Sequence, residues 1–355
     1  MKRTLVICID GTWNKPQANE NEDTNVCKIK RYLEKTIHKD HLHYVSGVGS
    51  EGNVLKKSFE GYTGTGTSRN IKDAYRFLIE KKYDSSKDNL FLFGFSRGAF
   101  AVRSLAGLIR NCGVLKEENK KLVDQAYEIY RSDKEEHRPK NTGVFRTKFS
   151  NSNSTKVYFI GVWDTVGSLG NPVLPNMLIS RYSKFHDTEL SSEVDHAYQA
   201  LAVCERRWLF SPCLWTQKLE NGQVKNPDQK IEQVWFIGAH ANIGGGYPRE
   251  ALSNTTLLWM IEKAKQAGLT FPKVELDTTK NVYVYDETHK KPHYKFKRAE
   301  RDLFIHDNSS EIKTFESVHD SVIKIVRKEI SVEFEDPSFK MQKLHQYLVK
   351  AGLHH

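Results

Sequence analysis

Four nearly continuous apolar runs, each broken by glycine or a polar residue, constrain this chain more than any other feature. They are "TLVICIDGTWN" from Thr4, "NLFLFGFSRG" from Asn89, "KVYFIGVWDTVGS" from Lys156 and "QVWFIGAHANIGGGY" from Gln233. None shows the polar alternation of a sheet with one wet face, so each reads as a strand covered on both sides. Helical patterns separate them. Ser68 to Tyr83 carries Ile71, Ala74, Tyr75, Leu78 and Ile79 on one stripe. "GAFAVRSLAGLIRNCG" follows Arg97 and closes at Cys112-Gly113, a C-cap signal, and "TTLLWMIEKAKQAGL" closes at Ala267-Gly268. Strands alternating with helices specify βαβ units, hence an α/β fold with a mostly parallel central sheet and helices on both faces.

The rest of the chain is less regular. Arg131 to Gly143 is charged and contains Pro139, and reads as a surface loop; Lys148 to Lys156 reads as a polar turn region. Residues 279–302 read as a β-hairpin or an excursion, and Leu344 to His355 as an amphipathic helix. With no internal repeat or low-complexity tract, the expectation is a single domain, 1–355, with insertions near 131–156 and 279–302.

Lysine and arginine exceed aspartate and glutamate by 54 to 44, a formal charge of +10. The basic residues are dispersed, and neither zinc-finger spacing nor an RNP-like strand accompanies them, so nucleic acid is not the expected partner. The five cysteines (Cys8, Cys27, Cys112, Cys204, Cys213) are odd in number and lack CxxC spacing. Reduced thiols are expected, not a disulfide framework or a zinc site. The apolar run Leu5 to Ile9 is too short for a signal peptide, and no stretch reaches the roughly 20 apolar residues of a membrane span. A cytoplasmic chain is expected, with any export left to specialised machinery.

Chemistry concentrates where the runs end. Gly94-Phe95-Ser96-Arg97-Gly98 has the spacing G-x-S-x-G between a strand and a helix. That context makes a strained turn that lifts a serine hydroxyl above the sheet, and the alternative is an ordinary tight turn. A serine nucleophile needs a base, and the base an orienting group. Asp164 and His240 end the third and fourth runs, in the chain order Ser, Asp, His. In an open α/β sheet such groups converge at the carboxyl ends of the strands. Asp164 is alternatively a turn residue acting through Thr165, and His240 a buried structural histidine. His319, beside Asp320 at the start of an apparent helix, is the rival base. Arg97 supplies one candidate oxyanion amide, and Gly11 or Thr12 the second, with Asp10 bracing that loop. A lone Asp10 does not make a metal site, and no cofactor is implied.

Together these blocks resemble the α/β-hydrolase catalytic domain of type VI secretion phospholipase effectors. The resemblance is carried by "DGTWN" at 10–14, "GVGS" at 47–50, "GFSRGAFAVRSLAG" at 94–107 and "GVWDTVGSLG" at 161–170. It continues through "ALAVCERRWLFSP" at 200–212, "WFIGAHANIGGGY" at 235–247 and "SVHDSV" at 317–322. It implies lipid-ester hydrolysis by Ser96, Asp164 and His240, with no cofactor, and a delivery or immunity partner if the chain is an effector. Two departures, Asn242 and the Cys204-Glu205 pair where the family more often has Asp and Asp-Glu, each remove a carboxylate near the site. The end of the chain at 355 leaves little room for a membrane-anchoring module. The basic charge suits transient contact with an anionic bilayer. The competing functions are a non-catalytic binding protein on this fold and a small-molecule cytosolic esterase.

Overall fold

A computed structural model describes residues 2–11, 14, 16–17, 22–47, 65–131, 138–167, 189–224, 226–289, 300–304, 309 and 311–352. The apolar runs become β1 (Arg3–Ile9), β3 (Asp88–Phe95), β4 (Val157–Trp163) and β8 (Lys230–Phe236). They are joined by β2 (Leu42–Val45), β5 (Val194–Ala202) and β11 (Glu316–Val318). The seven strands form one sheet in the order β11-β8-β5-β4-β3-β1-β2, with every pairing parallel. A small antiparallel sheet in the order β10-β6-β7 joins β6 (Gln217–Glu220), β7 (Gln223–Val224) and β10 (Ile312–Lys313).

Parallel strands need crossovers, and the crossovers cover both faces. Leu5, Ile7, Ile9, Leu90, Leu92 and Val162 face helices α2 (Thr65–Glu80), α3 (Arg97–Cys112) and α4 (Lys120–Arg131). On the opposite face Val6, Cys8, Phe91, Phe93 and Phe236 pack on α1 (Asn25–Glu34) and α7 (Ala251–Gln266). Between β8 and α7 lies a short helix, α6 (His240–Gly244). A third apolar cluster joins Trp235 and Ile237 to Phe304, Leu344 and Leu348, and so seats the C-terminal helix α9 (Gln342–Lys350) on the fold. The molecule is therefore an α/β-hydrolase-like fold with helices on both faces of a parallel sheet. Among the described residues no helix is long and apolar enough to cross a membrane.

Two local expectations are corrected. The charged segment expected as a loop contains a helix, α5 (Arg138–Phe149). Proline is tolerated in a helix's first turn, where its missing N–H has no partner to lose, and Phe145 anchors the helix in the core. Of the two readings of 279–302, a β-hairpin or an excursion, the described residues do not form the hairpin: β9 (Tyr283–Val284) pairs in parallel with β12 (Glu333–Phe334). Alternation marks a strand but does not name its partner, and here the partner is remote. Residues 290–299 lie outside the described residues, as do 132–137 of the other expected insertion.

Candidate active site

Ser96 occupies the single residue between β3 and α3, with φ 58° and ψ −121°. A non-glycine residue there is strained, and the surrounding contacts must hold it. Its amide donates to the Trp163 carbonyl (3.0 Å), tying the turn to β4. The two glycines of the motif make the turn possible. A Cβ at Gly98 would lie 2.1 Å from the Ile9 carbonyl oxygen, and one at Gly94 2.7 Å from the Gly98 carbonyl oxygen. The register aligns Ile9 with Gly94 and Phe95 with Trp163, which brings Asp10, Ser96 and Asp164 to one rim of the sheet.

His240 reaches that rim from the N-terminus of α6, four residues after β8 ends at Phe236. Its Nε2 lies 2.8 Å from Ser96 Oγ, and its Nδ1 lies 2.5 Å from Asp164 Oδ2. All three side chains are buried. The imidazole is set between Phe95, with ring centroids 4.7 Å apart, and the edge-on ring of Phe210 at 4.9 Å. Its backbone N–H donates to Glu205 Oε2 (3.2 Å). Burial lowers the His240 pKa below the ordinary value, although Asp164 pulls the other way. That direction favours the neutral imidazole, whose Nε2 can accept a hydrogen bond from Ser96 Oγ.

Asp164 is more constrained than an orienting aspartate requires. Its Oδ1 accepts from the Ala202 amide (3.0 Å), and its carboxylate is gripped by Arg301, Nη1 to Oδ1 at 2.5 Å and Nη2 to Oδ2 at 2.9 Å. Burial alone would raise this carboxyl, but Arg301 and His240 overcome it and hold the group well below the usual carboxylate range.

The other expected residues divide. His319 is not at this site. It follows the short edge strand β11 and caps α8 (Asp320–Val326), its Nδ1 accepting from the Ser321 amide, with its ring stacked on Phe236 at 4.4 Å. The Gly11 amide, expected to face an oxyanion, donates instead to Asp10 Oδ1 (2.7 Å). Thr12 lies outside the described residues. Arg97 opens α3 directly after Ser96. Asp10 also accepts from Thr24 Oγ1 (2.7 Å) and the Tyr44 hydroxyl (2.8 Å), contacts that tie the first loop to α1 and β2. Asn242 ties the turn after His240 to β9 by donating to the Tyr283 carbonyl and accepting from the Tyr285 amide. Glu205 keeps a carboxylate beside His240, paired with Arg207 at 2.7 Å. Among the described residues no group of three or more His, Cys, Asp or Glu side chains could hold a metal ion.

Sequence reasoning missed Arg301, Glu205 as a partner of the His240 amide, and Phe210. Glu205 and Phe210 fall in the block at 200–212, but nothing in their spacing assigns them a role. Arg301 is one cation in a charged run.

The family model described as "T6SS, Phospholipase effector Tle1-like, catalytic domain" matches residues 3–263. The chain belongs to that family. Ser96, Asp164 and His240 all fall inside the matched span of this Tle1-like domain, and Arg301 falls beyond it. The uncharacterized protein YEL023C of Saccharomyces cerevisiae is 28% identical over 235 residues, 60% of this chain and 33% of that protein. The chain thus spans about a third of that relative's length. Among solved structures, an uncharacterized protein from Pseudomonas aeruginosa is similar at TM-score 0.42 and 14% identity, covering 76% of this chain and 46% of that one. The Tle1 effector bound to the VgrG spike of the type 6 secretion system follows at TM-score 0.36 and 19% identity, covering 70% and 51%. For the Tle1-like domain, family membership rests on the matched span and the fold on the sheet order.

Proposed function

We propose that this Tle1-like domain is a serine hydrolase that cleaves carboxylic esters of phospholipids or related lipids. The observation that carries the reading is the continuous chain Ser96 Oγ, His240 Nε2, His240 Nδ1, Asp164 Oδ2, with contacts of 2.8 and 2.5 Å. Family membership supports the lipid substrate and a delivery partner.

In this reading His240 Nε2 takes the Ser96 proton as Oγ attacks the ester carbonyl. The C=O π pair moves to oxygen, and the oxyanion meets the Arg97 amide at the N-terminus of α3. The tetrahedral intermediate collapses, the C–O bond breaks, and imidazolium returns the proton to the leaving alcohol. Water then repeats the sequence on the acyl-enzyme, releasing the acid and restoring Ser96. Asp164 holds the imidazole in the tautomer with hydrogen on Nδ1. Because burial lowers the His240 pKa, the acidic limb of activity falls below pH 6.5, the unperturbed histidine value.

A fluorophosphonate probe, with peptide mapping and fatty-acid release from phospholipid vesicles, tests this. Wild type should label at Ser96, and Ser96→Ala and His240→Ala should not. A folded wild type that neither labels nor releases fatty acid would overturn the proposal.

A further inference from the structure

We propose that Arg301, supplied by a segment beyond the family-matched span, is a positioning residue of the Ser96-His240-Asp164 site, and that the C-terminal helix α9 holds it there. The inference rests on the hydrolase reading and deepens it, because it makes the proposed site depend on a part of the chain outside the catalytic-domain match.

The geometry is specific. Arg301 is buried, with its side chain 4% exposed, and forms a two-pronged pair with Asp164. The same guanidinium donates to the Ala202 carbonyl at the end of β5 (2.8 Å) and to the Phe210 carbonyl. Phe210 is the residue whose ring packs edge-on against His240. One side chain therefore fixes the carboxylate that orients His240 and the backbone of the residue that confines it. Lysine, with a point charge, cannot reproduce that fork.

Arg301 is anchored from the C-terminal side. Neighbouring Glu300 accepts from the backbone amides of Gln342 (3.2 Å) and Lys343 (2.9 Å), the first two residues of α9. Lys343 Nζ reaches back to the Glu300 carbonyl (3.0 Å) and to Asp302 (2.5 Å). Phe304 stacks on Tyr347 of α9 with ring centroids 3.7 Å apart. Helix and arginine are thus connected by contacts on both sides of position 301.

The electrostatic consequence has a sign. Among the described residues, the charged and titratable groups around His240 are Ser96 on its Nε2 side, Asp164 and Arg301 on its Nδ1 side, and Glu205 with Arg207 on its backbone side. Arg301 offsets the field of Asp164 at the imidazole. Removing it leaves that carboxylate acting on His240 alone, which favours imidazolium. The acidic limb of activity then moves to higher pH.

The test compares Arg301→Gln, Arg301→Lys and Tyr347→Ala with wild type in the full chain. Each is checked for folding by circular dichroism and followed by hydrolysis of a soluble ester over pH 5–9. The His240 ring is titrated in parallel by NMR. Arg301→Gln should lower kcat about 10²-fold, as expected for a misplaced catalytic group, with KM much less affected. Its acidic limb and the His240 titration should both move up. Arg301→Lys should shift the limb less while losing much of kcat, and Tyr347→Ala should lower kcat in the same direction but less. If Arg301→Gln does not fold, Arg301→Lys and Tyr347→Ala carry the test. Folded variants with wild-type kcat and an unmoved limb would overturn the proposal. So would a kcat loss with no movement of limb or titration, which would assign Arg301 to packing. The NMR titration reads the Arg301 contact without turnover. A shifted His240 in a chain that hydrolyses nothing would therefore sink the hydrolase reading and leave the contact standing.

Discussion

The ends of β1 and β4 place two aspartates in equivalent positions, and their fates are opposite. Asp10 and Asp164 each come one residue after the last strand position, and both are buried. Among the described residues Asp10 is met by neutral hydrogen-bond donors, the Gly11 amide and the hydroxyls of Thr24 and Tyr44. Burial outweighs those hydrogen bonds and raises its pKa to about 6. Asp164 suffers the same desolvation but faces Arg301 and the His240 ring, and its pKa falls. Burial thus sets the penalty at both sites, and a nearby cation decides whether the penalty is overcome. The brace in the first loop becomes a group that titrates in mild acid. Asp164, held by Arg301 and the His240 ring, stays an anion across that range.

The largest way to break that contrast is Asp164→Asn. It removes the anion that Arg301 and His240 share and leaves the buried guanidinium without that counter-charge, held by the Ala202 and Phe210 carbonyls. Losing one partner of a buried pair costs about 3–5 kcal/mol of stability, and the wrong imidazole tautomer lowers kcat by about 10⁴-fold. Urea unfolding and ester hydrolysis measure the two separately. Unchanged stability would mean that the Ala202 and Phe210 carbonyls suffice for the Arg301 guanidinium and that Asp164 is not the charge that decides its cost of burial.

Asp10→Asn sharpens the same comparison with a smaller effect. The folded pKa of Asp10 lies above its unfolded value, so the native state binds the proton more tightly. The stability this group contributes is present below pH 3.8 and is lost as pH rises through about 6, a span worth roughly 3 kcal/mol at 1.36 kcal/mol per pKa unit. Asp164 has the reverse sign: its contribution is present above the unfolded carboxylate pKa and is lost as pH falls toward its depressed folded value. The wild-type stability minus that of Asp10→Asn should therefore decline between pH 4 and pH 7. An asparagine can still accept from Gly11 and donate to the two hydroxyl oxygens, so the brace itself persists. A pH-independent difference would show that Asp10 is not the titrating group.

What could be read from the chain follows the same division. Ser96, Asp164 and His240 sit where apolar runs end, and a covered parallel sheet turns that sequence pattern directly into a shared rim. β5 was not anticipated, because its run "VDHAYQALA" carries Gln199 into the sheet interior. Its amide donates to Gln233 Oε1 (2.8 Å), a buried polar ladder that spoils the apolar signature. Arg301 was hidden for a different reason. In "KFKRAERD" nothing separates a cation that will be buried from one left in water, since only tertiary packing brings Asp164 to it. The Gly11 amide looked available because the DG turn was legible, whereas the return of the Asp10 side chain onto it is a three-dimensional fact.

The smallest expected effect belongs to His319→Ala, which separates the two histidines as Asp10→Asn separates the two aspartates. His240 and His319 are both pushed toward the neutral form by burial, and only His240 has a carboxylate at Nδ1 and a serine at Nε2. His319 spends its Nδ1 lone pair on the Ser321 amide (3.2 Å) at the start of α8. Removing such a cap costs about 1 kcal/mol, and the loss of the stack on Phe236 adds to it. Protonation would also destroy the cap, because Nδ1 must be unprotonated to accept. The stability difference between wild type and His319→Ala should therefore shrink as pH falls from the unfolded histidine value of 6.5 toward the lowered folded one. Probe labelling of Ser96 and its acidic limb should stay as in wild type. Loss of labelling in folded His319→Ala would contradict the assignment of the base to His240, however good the distances at that site.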